Sequence, residues 1–472
     1  MTLPKLCSLA LARRAPVAAV ALACIALQLS APCGALAGDW LILNEETDTR
    51  LIADPSVGTA DFEEKDYDWG DVDKDGDMDL VVARKQPFTT AGKRRNVLFM
   101  NEDGVLVDRS DPLALDFLDV TNDRDIKLVD VDGDTWLDVV TATTFQEQPR
   151  ILMNLGEVGG QWQGLAWDPA RLPLLETVGG IGPHFCGLGV GDINGDGRPD
   201  LYFADYGGII VGEGNDLNDR VLINDAANPG FFLDQTDART DPAMIQSCFG
   251  TQADIADMNG DGFADVVKTT GVGSAPPGVG CPQVSILYND GTGVFDFQDA
   301  VYTGAPYHAA VADFTHDDRL DIFAVDDGQD AYLVNQGNDA QGRATFTTTD
   351  INPPATSGFG GNVTFADMNG DDDLDVLIAD VDVDLGSCGG TSRNLWVLRG
   401  TGAGFADGPN DRWAGPENTS DMAPIDINGD GALDLVAGSC QSGMRIFMGF
   451  STEIFADGFE SGDTSAWSST VP

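Results

Sequence analysis

The sequence predicts an all-β fold, a seven-bladed β-propeller, and three observations lead to that prediction. A nine-residue acidic loop occurs seven times along the chain. Each copy lies between short runs of β-branched and aromatic residues, which are typical of strands. No helical periodicity of useful length lies between the copies. Four short strands in each of seven repeats are what a radial arrangement of blades around a central channel requires.

The acidic loop has the chemistry of a site for a hard cation. Its third copy, Asp192-Ile-Asn-Gly-Asp-Gly-Arg-Pro-Asp200, places side-chain oxygens at positions one, three, five and nine. Oxygen-only crowding of this kind suits Ca²⁺, which takes about six to eight oxygen ligands in flexible geometry. Gly197 stands at position six, where the chain turns sharply and a Cβ is unfavourable.

The seven copies keep one spacing, and their first residues are separated by steps of 59, 62, 65, 56, 54 and 59 residues. A period of this size indicates a repeat architecture. The candidate metal ligands, copy by copy, are Asp71, Asp73, Asp75 and Asp79; Asp130, Asp132, Asp134 and Asp138; Asp192, Asn194, Asp196 and Asp200; Asp257, Asn259, Asp261 and Asp265; Asp313, Asp317 and Asp321; Asp367, Asn369, Asp371 and Asp375; and Asp426, Asn428, Asp430 and Asp434.

Each repeat contains two predicted hairpins. The acidic loop joins the first two strands, and a turn such as Asn289-Asp-Gly291 joins the second pair, because it supplies the positive φ that a tight hairpin needs. The segment 40–52 resembles one further hairpin, so thirty candidate strands compete for 28 places. Either this segment completes the last blade, or one pair of strands packs outside the ring. An open β-solenoid is the alternative, but its repeats are usually much shorter.

The N-terminus has the pattern of a secretory signal peptide. Basic residues precede an apolar run at 15–29, and Ala35-Leu36-Ala37 fits the small-residue cleavage pattern. We therefore expect a signal peptide at 1–37, a propeller at 38–455 and a C-terminal tail at 456–472. No later stretch approaches 18 uninterrupted apolar residues, so the sequence predicts no membrane span. The expected location is extracellular or at the cell surface.

The chain is strongly acidic, with 77 Asp and Glu against 26 Lys and Arg and a net charge of −51. Loss of Lys5, Arg13 and Arg14 with the signal peptide would leave 23 basic residues (26 less 3) and a net charge of −54. Such a field repels nucleic acid and anionic membranes, so neither is an expected partner.

Five cysteines remain after the signal peptide, and an exported protein favours disulfides between them. On the blade arrangement we expect Cys248 to pair with Cys281 and Cys388 to pair with Cys440. Cys186 is then left without a disulfide. No Cys-x-x-Cys pair is present, so neither thiol redox chemistry nor a zinc site is expected.

The acidic loops, with the forms Asp-Ile-Asn-Gly-Asp-Gly-x-x-Asp and Asp-Met-Asn-Gly-Asp-Gly-x-x-Asp, resemble FG-GAP and VCBS repeats. These repeats build the seven-bladed propellers of integrin α chains and of many secreted bacterial proteins. The resemblance covers roughly residues 39 to 455. It implies Ca²⁺ held by side chains at positions one, three, five and nine, with a backbone carbonyl near position seven. We expect about six or seven ions, and a monomeric protein.

Three copies depart from this pattern. The second has Thr135 at the glycine position, and the sixth has Asp372 there, which tolerates the left-handed region better. The fifth has Thr315 at position three and Asp318 at position six, with His316 between them. We expect the fifth loop to be the weakest calcium site.

No catalytic constellation stands out in the sequence. The three histidines, His184, His308 and His316, have no context for a catalytic triad or a zinc site. We therefore expect a binding or adhesion module rather than an enzyme, with a glycan or an extracellular protein as its ligand. A secreted propeller enzyme, such as a polysaccharide lyase or hydrolase, is the alternative.

The ligand is expected on the face opposite the acidic loops, where the connections between second and third strands gather. A basic segment in the first of these connections is the sharpest candidate: Arg84, Lys85, Lys93, Arg94 and Arg95. These cations would capture an acidic ligand, or they simply neutralise acidic neighbours. The aromatic segment 161–167 could stack on sugar rings, although packing between blades is the commoner role of such tryptophans.

Overall fold

The prediction of a seven-bladed β-propeller is confirmed by the structure, a computed structural model. It describes residues 40–87, 91–175, 182–206, 218–245, 249–271, 282–351, 360–380, 394–406 and 408–450. The predicted signal peptide and C-terminal tail lie outside these ranges. The described strands form seven principal antiparallel sheets, one for each acidic loop.

We number the blades by their acidic loops. Blade 1 contains β3 (Glu64–Gly70), β4 (Asp79–Lys85), β6 (Val97–Asn101) and β7 (Leu106–Asp108); blade 2 contains β9 (Asp123–Val129), β10 (Asp138–Thr143), β11 (Arg150–Asn154) and β12 (Leu165–Trp167); blade 3 contains β13 (Phe185–Gly191), β14 (Asp200–Asp205), β15 (Arg220–Asn224) and β16 (Phe232–Asp234); blade 4 contains β17 (Gly250–Ala256), β18 (Asp265–Thr270), β19 (Gln283–Asn289) and β20 (Phe295–Tyr302).

The remaining blades follow the same order. Blade 5 contains β21 (Pro306–Ala312), β22 (Asp321–Asp326), β23 (Ala331–Asn338) and β24 (Ala344–Asp350); blade 6 contains β25 (Gly360–Ala366), β26 (Asp375–Asp380), β27 (Asn394–Leu398) and β28 (Arg412–Glu417); blade 7 contains β29 (Thr419–Ile425), β30 (Asp434–Ser439) and β31 (Gly443–Met448) with β1 (Asn44–Glu45). The described residues also form three one-turn helices, at Thr47–Arg50, Ser110–Leu113 and Thr236–Arg239, and 3₁₀ turns at Pro55–Val57 and Leu115–Leu118.

The first strand of each blade lines the central channel. These innermost strands contact one another in the cyclic order β3, β9, β13, β17, β21, β25 and β29, and β29 returns to β3. Glycine allows a close approach between β13 and β17 in this ring. A Cβ on Gly187 would lie 2.7 Å from the Cα of Gln252, so any larger residue would push the two strands apart.

The hydrophobic core is divided among the interfaces between blades. Seven buried clusters each combine side chains of two neighbouring blades. The cluster between blades 7 and 1, for example, contains Val82 and Phe99 together with Val436 and Ile446, all of them fully or almost fully buried. Because each sheet buries both faces against its neighbours, the second strands are continuous apolar runs rather than alternating ones.

The N-terminal segment closes the ring, which settles the choice that the sequence left open. Strand β1 pairs with β31 and supplies the outermost strand of blade 7. The expected hairpin at 40–52 was wrong, however, because the helical turn at Thr47–Arg50 separates its two halves. The second half, β2 (Leu51–Ile52), pairs in parallel with β7 and becomes a fifth strand of blade 1.

One small sheet lies outside the blades. Strand β5 (Arg94–Arg95) pairs with β8 (Val120–Thr121), so the second-to-third-strand connection of blade 1 is tied to the segment that leads into blade 2. The other connections expected to form the ligand face lie largely outside the described residues. They are 205–219, 271–282 and 380–392.

Candidate functional site

Every acidic loop connects the innermost strand of a blade to its second strand, so the seven loops share one end of the channel. In the first and second loops the structure brings three carboxylates together. One oxygen from each of Asp71, Asp73 and Asp79 lies within 4.8 Å of the others, and the same is true of the second loop at positions one, three and nine. Such a set of hard oxygen donors fits a divalent cation of the calcium type.

The backbone of each loop turns twice through the left-handed region. Position six has a positive φ in all seven copies, with values of 82° at Gly197 and 75° at Thr135. Position four has one as well, at Gly195 with 74° and at the non-glycine residues Lys74 with 61° and His316 with 56°. The turn at position six was predicted from the sequence, and the one at position four was not.

Backbone N–H groups fix the orientation of the loop carboxylates. In the third loop, Asp192 Oδ1 accepts from the N–H groups of Gly195 at 2.7 Å and Asp196 at 3.0 Å, and its Oδ2 accepts from Gly197 at 2.7 Å. Asn194 Oδ1 accepts from the N–H of Asp196 at 3.0 Å. The ligand side chains are therefore preoriented by the turn itself.

The aspartate at position nine has a second, structural role. Asp79 is fully buried, and its two oxygens accept from the backbone N–H of Asn101 at 2.9 Å and of Val72 at 3.1 Å. It thereby joins its own loop to the end of the third strand. Burial raises the pKa of this carboxyl, to about 8 for Asp79, about 7 for Asp138, Asp265 and Asp375, and about 6 for Asp200 and Asp434.

The fifth loop departs from the others in structure as it does in sequence. Its position-nine residue, Asp321, accepts from the Thr315 hydroxyl at 2.9 Å, on the oxygen that a position-two N–H contacts in the other loops. Asp317 at position five forms an ion pair with Arg319. His316 Nε2 lies 3.1 Å from Asp373 Oδ1 of the sixth loop. These differences support the expectation that the fifth loop is the weakest calcium site.

The basic segment of blade 1 is more deeply placed than the sequence suggested. Arg84 and Lys85 are buried, at 4% and 1% exposure, and do not present an accessible cationic surface. Arg84 forms an ion pair with Asp61 at 2.7 Å, and Lys85 forms one with Glu64 at 2.8 Å.

The other three cations of this segment also have acidic partners. Lys93 pairs with Glu147, Arg94 with Glu63 and Arg95 with Asp108. The side chain of Lys93 is the most exposed of the three, at 53%. These ion pairs support charge compensation as the role of the segment, and its part in ligand binding stays a prediction.

The opposite end of the channel forms a narrow polar mouth. Arg124 donates to Glu64 Oε1 at 3.1 Å and to the Tyr307 hydroxyl, and Cys186 and His308 lie in the same lining. The space between these side chains is about 40 Å³, enough for a few water molecules. None of Arg124, Tyr307 and Glu64 was predicted from the sequence to belong to a site.

Neither the cysteine nor the histidine of the mouth is activated. Burial raises the pKa of the Cys186 thiol to about 12, so the thiolate is not its form near neutral pH. Burial and the Arg124 guanidinium lower the pKa of His308 to about 3, so this imidazole is neutral. Cys186 is free of a disulfide, as expected. Cys248, Cys281 and Cys388 lie outside the described residues, so both proposed disulfides stay predictions.

Below the mouth the channel widens to a cavity of about 410 Å³. Its charged side chains are mostly acidic: Asp68, Asp254 and Asp421, with Lys127 as the basic member. Burial raises the pKa of Asp254 to about 6 and of Asp421 to about 7.

The aromatic segment 161–167 divides between the core and the surface. Trp162 packs against the cluster between blades 1 and 2, and its indole N–H donates to Asn154 Oδ1 at 2.8 Å. Trp167 is 42% exposed beside a shallow groove. Only Trp167 is therefore placed where it could stack on a ligand.

Five asparagines that were not predicted from the sequence connect neighbouring loops. We call them the clasp asparagines: Asn101, Asn154, Asn224, Asn289 and Asn335. Each lies at or near the end of a third strand and donates its side-chain amide to the loop of the preceding blade. The available signal was an asparagine two or three residues before a glycine, as in Asn154-Leu-Gly156; it is present at four of the five positions, and Asn224 is the exception.

The comparison with protein-family models agrees with the fold. The family model described as FG-GAP-like repeat matches residues 130–203 and 313–378. A solved structure concerned with recognition of non-reducing terminal N-acetylglucosamine by an Agrocybe aegerita lectin matches with a TM-score of 0.46 and 15% identity. That match covers 75% of this chain and 80% of the lectin, and at such similarity it says nothing about the ligand here. No match to a curated protein sequence was found.

Among the described residues, no helix is long and apolar enough to cross a membrane. The two matched segments contain the second, third, fifth and sixth acidic loops. The chain is a seven-bladed β-propeller that contains FG-GAP-like repeats.

Proposed function

We propose that this protein is an extracellular, calcium-stabilised binding module whose ligand, a glycan or a protein, docks at the end of the channel opposite the acidic loops. The observation that carries the proposal is the convergence of three carboxylates in the first and second loops, within 4.8 Å of one another. Calcium supplies the charge that holds such carboxylates together and needs no catalytic role to do so.

The mouth of the channel supports binding rather than catalysis. Its charged groups form ion pairs with one another: Arg124 pairs with Glu64, and Glu64 also pairs with Lys85. Cys186 and His308 have pKa values far from neutrality, about 12 and about 3, which do not suit a nucleophile and a general base working near pH 7. Fixed charges and a tyrosine around a polar opening instead suit recognition of a polar ligand.

Calcium titration is the first test. We expect calorimetry to detect about six ions and the melting temperature to fall when calcium is chelated. A single site at a free calcium concentration of 100 Kd contributes ~2.7 kcal/mol, so several sites would shift unfolding strongly. An absence of binding, or a melting curve that EDTA leaves unchanged, would contradict the proposal.

The ligand is tested separately, with a glycan array and a pull-down from culture supernatant. Salt-sensitive binding of acidic polysaccharides that is lost when Lys93, Arg94 and Arg95 are all changed to Ser would give the basic segment a binding role. Equal binding by this variant would establish charge compensation as its role. Turnover of a polysaccharide would contradict the binding-module proposal and favour an enzyme.

A further inference from the structure

The clasp asparagines form a hydrogen-bonded connection between successive acidic loops. The amide of Asn154 in blade 2 donates to the carbonyl oxygen of Val72 in the first loop at 2.8 Å. The N–H of Val72 donates in turn to the position-nine aspartate of that loop, Asp79, at 3.1 Å. The backbone N–H of Asn154 donates to the position-nine aspartate of its own loop, Asp138, at 2.7 Å. Two predicted metal ligands, Asp79 and Asp138, are thus linked through one residue, Val72, and one asparagine.

The same connection recurs around most of the ring. The clasp amides donate to the position-two carbonyl of the preceding loop as follows: Asn101 to Ile427 at 2.8 Å, Asn224 to Val131 at 2.7 Å, Asn289 to Ile193 at 2.7 Å and Asn335 to Met258 at 3.0 Å. All five asparagines are buried, at 1 to 6% exposure. Buried amides have no water to replace these bonds, so each bond constrains both loops.

Two junctions lack the asparagine. The equivalent residue is Gly400 in blade 6 and Gly449 in blade 7, and neither has a side chain to donate. Both glycines keep the backbone hydrogen bond to the position-nine aspartate of their own blade. The N–H of Gly400 donates to Asp375 at 2.8 Å, and that of Gly449 donates to Asp434 at 2.7 Å. The linked series therefore runs through the seventh, first, second, third, fourth and fifth loops and omits the sixth.

We infer that the clasp asparagines couple calcium binding between neighbouring loops, and that the sixth loop lies outside this coupling. Its contact with the fifth loop is the exposed pair of His316 and Asp373 rather than a buried clasp. The inference rests on the proposed role of calcium. An ion that fixes a position-nine aspartate also restrains the position-two residue that donates to it, and through that residue's carbonyl the asparagine of the next blade. The neighbouring loop then loses less conformational entropy when it binds its own ion. This gives positive coupling between the two sites without a change of fold.

The test compares the loss of one linked loop with the loss of the unlinked one. Asp134→Ala disables the second loop at position five, away from the clasp, and Asp371→Ala disables the sixth loop at the same position. Calcium binding to the remaining loops is measured by calorimetry and with a calcium electrode. We expect Asp134→Ala to weaken the adjacent loops roughly 5-fold, which is a typical coupling, and Asp371→Ala to leave the other loops within 2-fold.

A second variant separates coupling from simple destabilisation. Asn154→Gly introduces the residue that blades 6 and 7 already have at this position, so the change is one that the fold accommodates. In this background Asp134→Ala should no longer weaken the first loop. If Asp134→Ala prevents folding, Asp134→Asn replaces it, because the amide keeps the shape and removes the charge.

The outcomes distinguish the inference from the proposal beneath it. A parent protein that binds no calcium would overturn the proposed function. Calcium binding with equal effects of Asp134→Ala and Asp371→Ala on the remaining loops would leave the proposed function standing and overturn the coupling. An effect of Asp134→Ala that persists unchanged in Asn154→Gly would show that the asparagine is not the connection.

Discussion

Position six of the acidic loops shows how a single residue can strain an otherwise uniform turn. Thr135 has a φ of 75° where four other copies have glycine. A β-branched residue is disfavoured in the left-handed region, because its Cβ crowds the following carbonyl. Its hydroxyl accepts from Lys74 Nζ at 2.6 Å, which offsets part of this cost.

We predict that Thr135→Gly stabilises the protein by about 1 kcal/mol, because it removes the left-handed strain. Urea unfolding with calcium in excess provides the measurement. The matched control is Gly197→Thr in the third loop, where φ is 82° and no atom lies within 4 Å of the added Cβ. That variant should be destabilised by strain alone. A stability change of the same sign in both variants would contradict the explanation.

The third and fifth loops should differ in what a lost ligand costs. Asp196→Ala is expected to lower the melting temperature in calcium more than Asp317→Ala does. The fifth loop has no Asp or Asn side chain at position three to serve as a ligand. The hydroxyl of Thr315, which stands there, donates a hydrogen bond to Asp321. Removing calcium with EDTA should abolish most of the difference. Equal losses in calcium would mean that the fifth loop binds as tightly as the third.

At the scale of elements, the strand content and blade count follow from the sequence because the acidic loop marks every innermost hairpin. The alternation of apolar and polar residues before the loop and the apolar run after it specify which strand faces are buried. The predicted pair of first and second strands is present in every blade, from β3 with β4 to β29 with β30. Both features are local in sequence: the turn residues mark the hairpin, and the two-residue period of side chains along a strand marks its buried face.

Ring closure could not be predicted in the same way. The pairing of Asn44 with Met448 joins residues from opposite ends of the chain, and no local pattern identifies such a partner. The clasp asparagines were missed for a related reason. An asparagine near a hairpin glycine resembles ordinary turn chemistry, and its inter-blade bond exists only once two blades are adjacent.

We predict that the closing segment stabilises the ring through its buried side chain. Leu41 is 9% exposed and belongs to the cluster between blades 6 and 7, whereas the adjacent Ile42 is 40% exposed. Leu41→Ala should cost about 2–3 kcal/mol, because it leaves a cavity at that interface. Ile42→Ala is the control and should cost much less. Similar losses in denaturant unfolding would show that the segment does not close the core.

For the whole molecule, the dominant property is its large negative net charge, and several of its acidic side chains line the channel. Asp68, Asp254 and Asp421 line one cavity with Lys127. Although burial opposes it, the surrounding carboxylates raise the pKa of Lys127 well above its usual value, so this lysine stays charged. The burial that raises the pKa values of Asp254 and Asp421 makes their ionised forms unfavourable in the folded state.

The stability of the protein should therefore depend on pH through Asp254. Its folded-state pKa is about 6 and its reference value 3.8, so the folded protein binds the proton more tightly than the unfolded chain does. The resulting stabilisation is fully present below pH 4 and is lost as the pH rises through 6. Asp254→Asn is neutral throughout, so relative to the parent it should gain about 1–2 kcal/mol between pH 5 and pH 7.5.

A matched substitution on the surface separates this effect from general acidity. Hydrogen bonds from the Asn228 side chain and the Ala227 N–H lower the pKa of Asp225, so both folded and unfolded forms are ionised above pH 5. The stability of Asp225→Asn relative to the parent should then be constant between pH 5 and pH 7.5. Urea unfolding of all three proteins in saturating calcium measures the differences, and calcium effects common to them cancel. A constant difference for Asp254→Asn as well would show that the channel carboxylate is ionised without cost, which places it in contact with bulk water.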